Sequence, residues 1–278
     1  MKNRLYLIFL IVFVFFTQVD VFAFSLDTLV VQSTNMQRDV EVLLIKPTKP
    51  IEQNTPIVFL LHGYGGNHLQ WLDIKPQLPQ LADHLNVVFV CPNAYNSWYW
   101  DSPKLKNSQY ESFFISELIP FLAINEDLVC KPEQTAITGL SMGGHGALWY
   151  ASRYPHIFGA VGSMSGGVDL REFAHNWNLE EHLDSFTNNV QIWNKHTVAA
   201  QLSDLLKSDQ AIIIDCGVDD FFYSVNVKLH EELLSNKRAH DFIIRPGAHN
   251  RAYWNNAIDY QLLFFWNYFH QKRLLVDN

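Results

Sequence analysis

Short, unbroken apolar runs alternate with longer amphipathic stretches along most of this chain. The runs are Ile57–Leu61, Val87–Cys91, Thr135–Gly139, Phe158–Ser163, Ala211–Cys216 and Asp241–Arg245. Apolar side chains at successive positions, rather than at every second one, predict strands buried on both faces, as in a parallel sheet. Between the runs, Tyr110, Phe113, Phe114, Leu118, Phe121 and Leu122 recur at helical spacing, with Pro120 predicting a kink or an early stop. Trp254, Ala257, Ile258, Leu262, Phe265 and Phe269 form a second such stripe. This alternation predicts an α/β chain with a mostly parallel sheet and right-handed crossovers. Leu29–Ser33 and Val40–Ile45 read as an antiparallel pair at the start of that sheet. The rhythm breaks over 168–208, where no strand pattern occurs but Trp177 and Trp193 do. That stretch predicts a helical or irregular, cap-like insertion lying over the strand ends.

The N-terminus follows a different pattern. Lys2 and Arg4 precede an uncharged apolar stretch from Leu5 to Phe16, and Val21-Phe22-Ala23 follows. This predicts an export signal over residues 1–23 with cleavage after Ala23, leaving 24–278 as one domain in the periplasm or outside the cell. The apolar stretch is shorter than the roughly 20 residues a membrane-spanning helix requires, so no stable span is expected after cleavage. An uncleaved anchor is the competing reading of the same residues.

Composition narrows the function classes. The chain has 278 residues, 48% hydrophobic and 17% charged, too apolar and too weakly charged for a disordered chain. A formal net charge of −8 with no basic run argues against nucleic-acid binding, which rests largely on neutralising phosphates. Cys91, Cys130 and Cys216 form no CxxC, and neither HExxH nor a Cys/His cluster at ligand spacing occurs. Free thiols and no zinc site are expected.

The sharpest local signal is Gly139-Leu140-Ser141-Met142-Gly143, a G-x-S-x-G between a predicted strand and a predicted helix. That context is the strand–turn–helix of a nucleophile elbow, which presents Ser141 Oγ at the sheet edge beside a helix N-terminus. A serine hydroxyl is a poor nucleophile at neutral pH without a base, and the base needs an orienting acid. Of the histidines after Ser141, His145 sits on the elbow helix itself, and His230 and His270 fall in helical stripes. His249 stands in the turn-rich Pro246-Gly247-Ala248-His249-Asn250, directly after the last strand run, where the base belongs. The acid belongs on the loop after the preceding strand, and both Asp219 and Asp220 are placed there. Asp215 lies before the glycine turn, inside the strand. An oxyanion hole needs two backbone N–H donors. Met142 follows the nucleophile, and Tyr64 lies in the glycine-rich His62-Gly63-Tyr64-Gly65-Gly66 after an earlier strand. Trp98 and Tyr99, with Trp71, are candidate aromatic contacts for substrate, with packing of the loop as the alternative.

Taken together, these residues resemble the Putative esterase family, the esterase D-like branch of the α/β-hydrolases. The resemblance runs from about Val40 onward. It rests on His62-Gly63-Tyr64-Gly65-Gly66 with Trp71, Asn96-Ser97-Trp98-Tyr99 with Asp101, Tyr110-Glu111 with Glu117-Leu118-Ile119-Pro120, the serine elbow, Asp215-Cys216-Gly217 with Asp220, and Gly247 with His249. It implies an α/β-hydrolase fold, a three-layer αβα sandwich without a required metal or cofactor. It implies Asp220 rather than Asp219 as the acid. It further implies hydrolysis of acetyl, short-chain acyl or feruloyl esters, on a small-molecule or glycan substrate. An export signal fits secreted carbohydrate-ester hydrolases better than S-formylglutathione hydrolases. Acyl transfer by the same triad, and a non-catalytic glycan-binding protein on a hydrolase fold, are the rival readings.

Overall fold

The computed structural model describes residues 24–276; the predicted signal segment, 1–23, lies outside them. The strands are β1 Ser25–Ser33, β2 Arg38–Lys46, β3 Ile57–Leu61, β4 Val88–Pro92, β5 Thr135–Gly139, β6 Ala160–Met164, β7 Ala211–Gly217 and β8 Asp241–Arg245. The helices are α1 Gln70–Ile74, α2 Leu78–Leu85, α3 Tyr110–Phe113, α4 Ile119–Asn125, α5 Met142–Arg153, α6 Leu179–Leu183, α7 Val190–Lys195, α8 Leu202–Lys207, α9 Tyr223–Ser235 and α10 Arg251–Val276. One eight-stranded sheet runs in the order β1-β2-β4-β3-β5-β6-β7-β8. β1 pairs antiparallel with β2, and β2 antiparallel with β4; the remaining pairs are parallel.

The unbroken apolar runs are explained by two cores, one on each face of the sheet. Along β3, Ile57, Phe59 and Leu61 point into the core shared with α3, α4, α5 and α9, whereas Val58 and Leu60 point into the core shared with α1, α2 and α10. A polar residue at any of these positions would be buried on one side or the other. The result is the three-layer α/β-hydrolase sandwich.

Pro120 does not end its helix. A π-helical turn, Phe114–Leu118, joins α3 to α4, and Pro120 sits in the first turn of α4, where a missing N–H costs least. Phe113, Phe114, Leu118 and Leu122 thereby all remain buried. The 168–208 stretch holds α6, α7 and α8 and no strand. It is anchored by buried Leu170, Leu179, Leu183, Trp193 and Leu205. Cys91 and Cys216 are buried free thiols, pushed up by burial. Among the described residues no helix is long and apolar enough to cross a membrane.

Two buried polar features bear on stability. Asp215, fully buried on β7, accepts from Arg245 Nη2 of β8 at 2.7 Å and from the Tyr253 hydroxyl of α10. Burial pushes its carboxyl up, against the pull of Tyr253 and Arg245. Replacing Arg245 by Met strands a carboxylate in the interior and is expected to cost about 3–5 kcal/mol at pH 7. The deficit relative to wild type should shrink as the pH falls, because a protonated Asp215 needs no counter-charge. Urea unfolding at several pH values measures both; a variant within about 0.5 kcal/mol of wild type at pH 7 would refute the pairing argument.

His62, His145 and His182 are buried, and desolvation lowers each to about 4. Between pH 4 and the unfolded value of 6.5 the unfolded chain binds more protons than the folded one, so stability is lost as the pH falls through that window. Each histidine contributes a slope of at most about 1.4 kcal/mol per pH unit. Unfolding free energy measured from pH 7 to pH 5 should fall steeply, and less steeply in His145→Gln. A flat profile across that range would contradict the burial of neutral rings.

Candidate active site

The parallel strands end along one edge of the sheet, and the turns that follow β3, β5, β7 and β8 carry the candidate residues. This is where open α/β sheets place their ligands. The turn from β5 to α5 holds Ser141 at φ 56°, ψ −116°, a left-handed conformation uncommon for a residue with a side chain. Its surroundings leave it little choice. Ser141 N–H donates to Met164 O at 2.9 Å, and Ser141 O accepts from His145 N–H at 3.1 Å and Gly167 N–H at 3.2 Å. A Cβ on Gly143 would lie 2.2 Å from Leu61 O, so only glycine allows α5 to start this close to β3.

Ser141 Oγ lies 2.9 Å from His249 Nε2, and His249 Nδ1 lies 3.0 and 2.9 Å from the two oxygens of Asp220. The carboxylate demands the proton on Nδ1, which leaves Nε2 as acceptor for the serine hydroxyl. Asp220 is held by Phe222 N–H, which donates to Oδ1 at 2.8 Å. Asp219, its neighbour, points outward and is exposed, with its backbone N–H on Gly247 O at 2.9 Å. Asp215 is engaged with Arg245 and Tyr253. The imidazole of His249 is packed between Phe221, centroid to centroid 4.1 Å, and the edge of Trp254 at 4.9 Å. Neither aromatic stands out in the sequence, although Phe221 directly follows Asp220.

The other histidines are otherwise occupied. His145 is fully buried, with Nε2 on His196 O at 3.1 Å and its ring against Trp98, Trp100 and Trp149. His230 faces His240, and His270 lies on α10. Beside Ser141 runs the Gly63–Gly66 loop. Among the described residues, no protein acceptor takes the N–H of Tyr64 or of Met142.

The three aromatic candidates sit behind this surface. Trp71 and Trp98 are each 1% exposed and Tyr99 is fully buried. Trp71 Nε1–H donates to Leu61 O at 2.9 Å, and the Tyr99 hydroxyl to His62 O at 2.9 Å. Trp98 lies under Tyr64 and Trp177. Burial places all three side chains in the packing of the site loops rather than on an open face; the polar tips of Trp71 and Tyr99 are tethered, whereas the buried Trp98 Nε1–H has no partner among the described residues. The aromatics nearer the surface are Trp177, half-buried on the 168–208 insertion, and Phe221, whose rings stack at 5.6 Å. Among the described residues no group of three or more His, Cys, Asp and Glu is placed to hold a metal ion.

The family model described as Putative esterase matches residues 33–265. The chain is 27% identical over 230 residues to an acetyl esterase of Caldicellulosiruptor saccharolyticus, covering 77% of this chain and 86% of that protein. It is 30% identical over 138 residues to an endo-1,4-beta-xylanase/feruloyl esterase of Xylanibacter ruminicola, covering 46% of this chain but 19% of that longer protein. A solved ferulic acid esterase aligns with a TM-score of 0.74 at 25% identity, covering 89% of this chain and 99% of the other. With its match over most of its length, the chain belongs to the Putative esterase family and is a carboxylic ester hydrolase of the α/β-hydrolase fold.

Proposed function

We propose that the protein is an exported serine esterase that cleaves acetyl or aromatic acyl esters, such as those carried by plant glycans, through an acyl-enzyme on Ser141. The observation that carries this reading is the unbroken relay from Asp220 through His249 to Ser141 Oγ. In the first step His249 Nε2 takes the hydroxyl proton as Oγ attacks the ester carbonyl. Asp220 keeps the proton on Nδ1 and stabilises the imidazolium that forms. The N–H groups of Tyr64 and Met142 receive the tetrahedral oxyanion. His249 then protonates the leaving alcohol, and the same base activates water to release the acid.

Export rests on the charge and apolar pattern of residues 1–23. The acyl side of the substrate rests on the Trp177–Phe221 pair, because Phe221 touches the base and Trp177 brings the insertion to the same spot. This gives the 168–208 insertion a cap-like role in shaping the site. The names of the acetyl esterase and feruloyl esterase relatives fit the same choice of acyl groups.

Hydrolysis of p-nitrophenyl acetate tests the chemistry, with Ser141→Ala as the blank. Ser141→Ala and His249→Ala should each lose roughly four orders of magnitude in rate. Asp220→Asn should lose most of its activity while Asp219→Asn keeps it; the reverse would move the acid to Asp219. Product analysis with an added polyol separates hydrolysis from acyl transfer. For the acyl group, Trp177→Ala should lower kcat/KM on methyl ferulate by about tenfold while changing p-nitrophenyl acetate little, the size of an aromatic pair. Equal losses on both substrates would remove Trp177 from acyl recognition.

A further inference from the structure

We infer that Gln70, a residue outside the relay, is a positioning residue that aims the Tyr64 N–H at the oxyanion; the inference rests on the serine reading above. A Cβ on Gly63 would lie 2.5 Å from Leu140 Cδ1 and 3.5 Å from Ser141 Cβ, so glycine here lets the loop pass close to the serine turn without displacing the buried Leu140. A glycine at this point leaves the chain free to rotate on either side of it. Yet the N–H of the next peptide has to hold one direction for the whole reaction.

The structure removes that freedom by pinning two consecutive peptide planes. In the plane between His62 and Gly63, the carbonyl accepts from the Tyr99 hydroxyl at 2.9 Å and the N–H donates to Gln70 Oε1 at 2.8 Å. In the plane between Gly63 and Tyr64, the carbonyl accepts from His62 Nδ1–H at 2.8 Å and from Gly66 N–H at 3.0 Å. A trans peptide directs its N–H opposite to its carbonyl. With that oxygen fixed, the Tyr64 N–H is left facing away from His62. The His62 ring is itself fixed, because its Nε2 accepts from Ala94 N–H at 2.7 Å.

Of these pins, Gln70 is the one side chain that reaches back from α1, and it is half-buried against the loop. The bond from Gly65 N–H to Asn96 Oδ1, 2.8 Å, steadies the far side of Tyr64 but is exposed to water, so its contribution is the smaller. Gln70 also lies so close to Gly66 that a Cβ there would be 2.7 Å from its Cδ and Oε1. Gly66→Ala therefore displaces the carboxamide without altering residue 70.

The experiment compares wild type, Gln70→Met, Gly66→Ala, Asn96→Leu and the Ser141→Ala blank on p-nitrophenyl acetate. Rates are normalised to sites titrated with a fluorophosphonate, which removes any misfolded fraction. Gln70→Met and Gly66→Ala are expected to lose about ten- to a hundredfold in kcat/KM per titrated site, with the loss in kcat, and Asn96→Leu less. The inhibition constant of phenylboronic acid, which forms a tetrahedral adduct on serine, should rise in the same proportion. Full kcat/KM per titrated site in both variants, or losses confined to KM with boronate inhibition unchanged, would overturn the role of Gln70. A wild type that neither turns over nor titrates above Ser141→Ala would instead overturn the serine reading, and this inference with it.

Discussion

The arrangement of this site depends on the backbone of Ser141. A left-handed φ on a residue with a side chain costs of order 1 kcal/mol or more and persists only where the surroundings over-determine it. Here three backbone hydrogen bonds, to β6, to the loop after it and to the first turn of α5, hold it, and glycine at 143 lets α5 begin against β3. Once that turn is set, Cβ is fixed and Oγ is left only its staggered rotamers, of which the one adopted meets His249 Nε2. His249 and Asp220 come from turns after β8 and β7, and the Gly63–Gly66 loop from the turn after β3. Their separation along the chain is bridged because the parallel strands share a register and end at one edge.

The buried network beneath the site serves the same end. Asp215 ties β7 to β8 and to α10 through Arg245 and Tyr253, and these elements flank the loop that carries His249. The Gly247 carbonyl of that loop accepts from Asp219 N–H, which couples the turn after β7 to the turn after β8. His249 and Asp220 are thus carried on two turns fastened together, so the distance between them does not depend on the flexibility of either alone.

Much of this was legible in the sequence because it follows from local pattern. All six runs are strands, within two residues at their ends; β3 to β7 are buried on both faces, as an unbroken apolar run predicts, whereas β8, at the sheet edge, is only partly covered. The serine elbow and the turn holding His249 could be located from neighbouring residues alone. Asp219 and Asp220 could not be separated that way, because adjacent loop residues point in opposite directions and only the path of the turn decides which meets the imidazole. Trp71, Trp98 and Tyr99 were equally ambiguous: an aromatic side chain offers the same surface to a ligand and to a core. Pro120 signals a break, but a single π-helical turn absorbed it. Gln70 carries no signal, since an acceptor seven residues after Gly63 matters only once α1 folds back on the loop.

The burial of Trp98 and Tyr99 still bears on the chemistry. Both have left-handed φ values, 56° and 66°, and the loop they lie in also contains Asn96. Two such residues in succession cost of order 1–3 kcal/mol each. Burying the large apolar surfaces of Trp98, Tyr99 and Trp100 works against that strain, less the cost of the unpartnered indole N–H groups of Trp98 and Trp100. The aromatic triplet therefore converts hydrophobic burial into a fixed loop geometry. Through the Tyr99 hydroxyl on His62 O, it reaches the same pair of peptide planes that Gln70 restrains. Aromatics that read as a binding platform in the sequence are buried here, and one of them, Tyr99, ties the backbone at His62 in place.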